Sequence, residues 1–291
     1  MKRRDLLKLF GVAAGTAVAT RAAAAQEPAA ALTGDPVGVL VDTTKCIGCR
    51  SCEFACATAN GLPEPDAAVV PSPERETSTT QWTVVKGYQV ADKTITVKRQ
   101  CMHCLQPACT SACLTKAMFK TPDGPVTWRS GKCMGCRYCM VSCPFDVPRF
   151  EYHSAVPRIQ KCQQCSARVA AGEQPACVAA CPVGALTFGR RENLLDEARH
   201  RIYSEPGRYV HQIYGEHEAG GTSWLYLSAV PFEQIGFRTD IATTAYPAYN
   251  KEFLYAVPLV LTIVPPFLLG LRKATGGEGD GGNEGDEGGE A

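Results

Sequence analysis

Sixteen cysteines fall into four groups of four, and each group has a spacing that can wrap thiolates around a cube of iron and sulfide. Cys46, Cys49, Cys52 and Cys56 are spaced C-x-x-C-x-x-C-x-x-x-C; Cys133, Cys136, Cys139 and Cys143, followed by Pro144, repeat that run 87 residues later. Cys101, Cys104, Cys109 and Cys113 have a stretched middle gap, and Cys162, Cys165, Cys177 and Cys181, followed by Pro182, a longer insertion there. Both keep the opening C-x-x-C and the closing C-x-x-x-C. Three thiolates close together on one loop take three corners of a cube, and the fourth corner is filled from elsewhere. No cysteine is left over, so the pattern predicts four [4Fe-4S] clusters and one-electron chemistry.

Other cysteine chemistries fit less well. A structural zinc site closes on two C-x-x-C pairs and leaves the third close cysteine of Cys46/Cys49/Cys52 and of Cys133/Cys136/Cys139 unused. Disulfides between cysteines three residues apart are strained and reducible. A thioredoxin-like motif needs one C-x-x-C pair in a βαβ setting.

The first and third groups match the run found in bacterial two-cluster ferredoxins, where the fourth cysteine of each run ligates the other cluster. Thiolate-bound cubes are anionic, and basic residues lie within three positions of the ligands: Lys45, Arg50, Arg99, Lys116, Lys132, Arg137 and Lys161. They either tune the clusters and fix the loops or are ordinary surface charges. His103, inside the Cys101–Cys104 loop, reads as a hydrogen-bonded loop residue, and His153, His200, His211 and His217 have no metal-site spacing. No nucleotide loop, nucleophile elbow or acid pair makes the chain catalytic alone.

The elements that must position these thiols form an α+β fold. Val37 to Val41 reads as a short strand feeding the first loop, and the 87-residue offset implies two ferredoxin-like halves. Between the first two groups, Gln81–Val90 and Lys93–Lys98 predict a β-hairpin insertion turning at Ala91-Asp92. From Glu192 to Ile202, Leu194, Leu195, Ala198 and Ile202 recur at helical spacing. The expected domains are the four-cluster region 37–190 and an extension, 191–252.

Both ends carry targeting features. Lys2-Arg3-Arg4-Asp5-Leu6-Leu7-Lys8, the apolar stretch after it and Ala22–Ala25 read as a twin-arginine signal over residues 1–25, with a linker at 26–36. Export after folding lets clusters be assembled in a reducing compartment. Residues 1–25 hold five basic residues and one acidic, so the net charge of +1 becomes −3 without them, with no basic excess for nucleic acid. Phe253 to Leu271 is uncharged and long enough for a transmembrane helix, which Pro258, Pro265 and Pro266 are expected to kink or interrupt. Arg272 and Lys273 would stop it at the cytoplasmic face, leaving the clusters on the periplasmic side. The tail at 272–291, rich in Gly, Glu and Asp, reads as disordered.

Over about residues 37–190 the sequence resembles the four-cluster ferredoxin subunits that serve DMSO reductase, formate dehydrogenase, polysulfide reductase and membrane-bound hydrogenases. The leader, the C-terminal apolar helix and the stretch from Tyr214 to Thr222 leading to Val230-Pro-Phe232 resemble the HybA-type branch of nickel-iron hydrogenases. The resemblance implies that Cys46, Cys49 and Cys52 are completed by Cys181, and Cys162, Cys165 and Cys177 by Cys56. Likewise it pairs Cys101, Cys104 and Cys109 with Cys143, and Cys133, Cys136 and Cys139 with Cys113. It also implies a catalytic partner, expected to be a nickel-iron hydrogenase or alternatively a molybdenum or tungsten enzyme, and a quinone-reactive membrane subunit. Ala57 and Leu114 stand where the family often has proline after the fourth cysteine, which leaves those exit turns open.

Overall fold

The computed structural model describes residues 34–275; the expected signal at 1–25, most of the 26–36 linker and the tail beyond Thr275 lie outside the described residues. β1 (Val37–Asp42) has Val39, Leu40 and Val41 buried, so it is apolar on both faces and takes the centre of a sheet. β8 (Leu186–Arg190) pairs with it antiparallel, Val41 opposite Leu186, and β9 (Trp224–Leu227) pairs parallel on its other edge, Leu40 opposite Leu225. Strand alternation then sorts two layers. Leu40, Leu225 and Leu227 pack against α6 (Arg191–Ser204) through Leu194, Leu195, Ala198 and Ile202, the face its periodicity predicts. Val39, Val41, Trp224 and Tyr226 face the cysteine-bearing side with Cys177, Tyr214, Phe232 and Phe237.

Three hairpins complete the sheets. β2 (Val84–Val90) and β3 (Lys93–Arg99) form the expected insertion, with Val90 opposite Lys93. The turn takes Ala91 at φ 49, as tight hairpins require. β4 (Met118–Lys120) pairs with β5 (Val126–Trp128), and β6 (Arg149–Phe150) with β7 (Ile159–Gln160). The residues beyond α6 run back through the core, since Trp224, Leu225, Tyr226, Leu227, Phe232 and Ile235 are fully buried.

The last described element, α7 (Tyr246–Thr275), is long and apolar enough to cross a membrane by length and composition. It starts seven residues before the expected span. The helix continues through Pro258, Pro265 and Pro266 rather than ending at one of them.

Candidate metal centres

Each cysteine run sits on a loop whose backbone is set by left-handed residues. The residue before the second cysteine has positive φ in all four runs: Gly48 (71°), His103 (48°), Gly135 (73°) and Gln164 (52°). Arg50 and Arg137, just past that cysteine in the first and third runs, adopt nearly the same conformation, φ 62°, ψ 7° and φ 61°, ψ 7°. In the fourth run Cys165 is left-handed as well, φ 47°; such turns direct backbone N–H groups into a concavity that suits an anion. For His103 and Gln164 this conformation is strained.

Sheet pairing brings the fourth cysteine of one run to another. β1 leads into Cys46 and β8 leaves Cys181, so their pairing, extended by Asp42 N donating to Ala185 O at 2.8 Å, places Cys181 beside the first loop. One cavity is lined by Cys46, Cys49, Cys52 and Cys181. In the same way β4 leaves Cys113 and β5 leads towards Cys133, and a second cavity is lined by Cys113, Cys133, Cys136 and Cys139. The Cys104 thiol feels Cys143, Cys101 and Cys109, and Cys56 feels Cys177 and Cys165, with Cys162 also acted on by Cys56. The groups are named below by their first members, after the ligand sets that the resemblance implies: the Cys46, Cys162, Cys101 and Cys133 sets.

The sets lie in a row. Helix α1 (Ser51–Asn60), carrying Cys52 and Cys56, packs on α5 (Ala176–Ala179), carrying Cys177, and Cys177 acts on Cys52. Cys101 acts on Cys162. Helix α2 (Ala108–Ser111), with Cys109, packs on α3 (Tyr138–Val141), with Cys139, and Cys139 acts on Cys109. The order is therefore Cys46, Cys162, Cys101, Cys133. The two exposed cysteines, Cys49 and Cys136, belong to its two end sets.

The electrostatics suit bound iron. Burial pushes the thiol of Cys56 up to about 12 and those of Cys139 and Cys143 up to about 11, and it raises Cys52, Cys104, Cys109, Cys162 and Cys177 as well. Thiols so placed stay protonated unless a metal claims the sulfur. Among the described residues no three His, Cys, Asp or Glu side chains converge on a single ion. All three tryptophans of the chain, Trp82, Trp128 and Trp224, pack among cysteines, and each has a buried indole N–H without an acceptor among the described residues. Cluster sulfur would supply one.

Of the seven basic residues near the ligands, Arg50 and Lys161 are buried, whereas Lys116, Lys132 and Arg137 are exposed. Arg50 is buried, its Nε donating to Glu53 at 2.9 Å and its NH1 to Val69 O at 2.6 Å and Asp66 O at 2.8 Å. Glu53 also accepts from Arg75 at 2.7 and 2.8 Å, Gln81 at 3.0 Å and the Val85 N–H at 2.5 Å. This carboxylate clamps the long insertion onto the first loop. Lys161 is enclosed, its Nζ donating to Val126 O at 2.5 Å and Cys162 O at 3.0 Å. Burial, with Lys161, Lys120 and Lys98 adding to it, holds His103 well below its ordinary pKa. The neutral ring accepts the Val126 N–H at Nδ1, 2.8 Å away, and so ties the Cys101 loop to β5. Arg137 by contrast lies over the Phe150 ring, 5.6 Å from its centroid.

Two basic residues stand outside the set singled out by sequence. Lys120 donates to Cys104 O at 2.9 Å, and burial, opposed by the nearby sulfurs of Cys104, Cys101 and Cys109, lowers it to about 8. Lys98 is buried beside Cys177, Cys52 and Cys162. A lysine amid the Val, Ile and Thr of a strand is the signal that points to it.

The exit turns bear on the missing prolines. Lys116, Asp146 and Gly184 each take positive φ three residues after Cys113, Cys143 and Cys181, and their N–H groups donate back to those cysteine carbonyls at 3.0, 3.2 and 3.4 Å. Leu114 thus makes the same turn as Pro144 and Pro182. After Cys56 the chain instead stays helical to Asn60, a course proline at position 57 would break.

Residues 93–191 match a family model described as a 4Fe-4S dicluster domain. A protein of Nitratidesulfovibrio vulgaris is 49% identical over 288 residues, covering 94% of this chain and 77% of its own length. The hydrogenase-2 operon protein HybA of Escherichia coli O157:H7 is 32% identical over 319 residues, covering 94% and 96%. The formate dehydrogenase-O iron-sulfur subunit of Escherichia coli K12 is 35% identical over 203 residues, covering 66% and 67%.

Proposed function

We infer this chain's role from its family: it belongs to the ferredoxin-type iron-sulfur subunits of respiratory oxidoreductases, which include HybA and the formate dehydrogenase iron-sulfur subunits, and it is an electron-transfer subunit. The finer reading is a relay of four [4Fe-4S] clusters in two ferredoxin-like halves, held by the four sets described above. When bound, each cluster takes up and gives away one electron. The chain's own residues hold the centres in sequence, bury the inner two and bring the outer two to the surface. The observation that carries this reading is the row of four thiol sets with its two exposed cysteines at the ends.

Each end has an apolar surface where a partner can exclude water. Ile47 and Val183 are exposed and line the cavity with Cys49; Met134 is exposed and lines the cavity with Cys136, and Leu114, Tyr138 and Val141, near the ligands of that set in sequence, are exposed too. α7 packs on α2, which carries Cys109 of the adjoining set, so the Cys133 end lies nearer the apolar helix than the Cys46 end does. In this reading α7 anchors the chain in the membrane, the Cys133 end meets a quinone-reactive membrane subunit, and the Cys46 end meets the catalytic subunit. A nickel-iron hydrogenase is the proposed partner, because the likeness to HybA runs the length of both chains. The twin-arginine leader would place the cluster region, residues 37–190, and the extension, 191–252, on the periplasmic face.

The test is to purify the tagged chain with its partners from native membranes and add hydrogen or formate under anaerobic conditions. Bleaching of the visible iron-sulfur absorbance by hydrogen supports the hydrogenase reading. Bleaching by formate alone replaces it with the formate dehydrogenase reading.

A further inference from the structure

Lys98 is 2% exposed, and among the described residues no carboxylate pairs with it. Its Nζ donates to Gln100 Oε1 at 2.9 Å and lies 4.4 Å from the centroid of the Trp224 ring. The position is fixed from both sides. Gln100 donates its amide to the Tyr226 hydroxyl at 2.7 Å, and that hydroxyl donates to the Lys98 carbonyl at 3.0 Å. A neutral amide and an aromatic face do not compensate a buried ammonium. The compensation comes from sulfur: Lys98 lines the cavity of Cys46, Cys49, Cys52 and Cys181, and the charges of Cys177 and Cys162, from the neighbouring set, act on it too. One cation therefore serves two adjacent centres.

We propose that Lys98 is a positioning residue for electron transfer, a fixed positive charge shared by the Cys46-set and Cys162-set clusters that raises the potentials of both together. This rests on the ligand sets proposed above. An added electron is stabilised on either centre, so the first hop along the row gains driving force from neither side and loses it to neither. The Cys133 set lies at the far end, and the Cys101 set has its own buried cation in Lys161, which acts on Cys109 and Cys143.

The test uses the full chain, purified anaerobically with its clusters, in three variants: Lys98→Met, Gln100→Glu and Lys98→Arg. Iron and sulfide are counted, and each cluster's midpoint is read by potentiometric titration of its paramagnetic signal. In Lys98→Met the reduction equilibrium of two clusters should weaken at least tenfold, a fall of 59 mV or more for a one-electron couple, while the other two hold. Gln100→Glu, which sets a carboxylate against the ammonium, should lower the same two, and Lys98→Arg should preserve them. Full iron with unchanged midpoints, or an equal shift of all four, overturns the proposal. Iron loss in the first two variants with full iron in Lys98→Arg replaces it with a charge role in holding the clusters, and loss in all three replaces it with a packing role. A parent chain lacking four clusters' worth of iron would fault the ligand sets instead.

Discussion

Replacing Glu53 with alanine should loosen the molecule at the Cys46 end more than any surface change. Its carboxylate is fully enclosed and satisfies two buried guanidinium groups, Arg50 and Arg75, together with the Gln81 amide and the Val85 N–H. Truncation leaves two cations unpaired in a low-dielectric interior, a loss of about 3–5 kcal/mol for breaking a buried ion pair. At about 2–4 °C per kcal/mol for a domain of this size, the melting midpoint should fall by about 6–20 °C. The assay is thermal unfolding of the cluster-loaded chain at a fixed scan rate, with protease sensitivity of residues 62–83 as a second reading. Asp196→Ala is the control, since Asp196 and Arg199 form an exposed pair worth about 0–1 kcal/mol. Glu53→Gln keeps the shape and should fall between them. If Glu53→Ala melted within about 2 °C of the parent, or if residues 62–83 stayed protected, the clamp would be ruled out.

Further outcomes follow from the thiol sets and the apolar helix. Cys56→Ser should disturb the cluster held by Cys162, Cys165 and Cys177 rather than the one held by its own run, seen as the loss of one paramagnetic signal; loss of the Cys46-set signal alone would contradict the crossed arrangement. Loading iron must expel the protons that burial keeps on Cys139 and Cys143 up to about 11 and on Cys56 up to about 12, so calorimetry at pH 9–10 in buffers of different ionisation enthalpy should show net proton release from these thiols, and none would refute thiolate ligation. The same shifts make the iron-free fold bind more protons than the unfolded chain above the ordinary thiol value of 9.0. Its stability should therefore fall as pH rises from 9 towards 12, and a constant urea midpoint across that range would contradict it. Deleting the chain after Asn250 should move the protein from the membrane to the soluble fraction; retention would assign attachment to the partners.

What was legible in the sequence was local. The cysteine runs, the β2–β3 hairpin and the buried stripe of α6 depend on residues a few positions apart, and the structure places the hairpin and the stripe as their spacing predicts. The partners of β1 are not local: β9 returns from more than 180 residues away to pair with it, and no periodicity in Trp224–Leu227 names its neighbour. The same holds for charge. Glu53 gathers donors from Arg75, Gln81 and Val85, up to 32 residues on, and reads in sequence as one more helix carboxylate. Lys98 was hidden because β3 is covered on both faces where a hairpin insertion suggests one, and Arg99, its more conspicuous neighbour, instead lies 4.1 Å from the Phe237 ring centroid.

The central claim is that the four thiol sets hold iron-sulfur cubes. Iron and acid-labile sulfide, counted together on the anaerobically purified full chain, test it most directly: the account predicts about 16 of each per chain. Zinc in place of iron, or iron without sulfide, would contradict it.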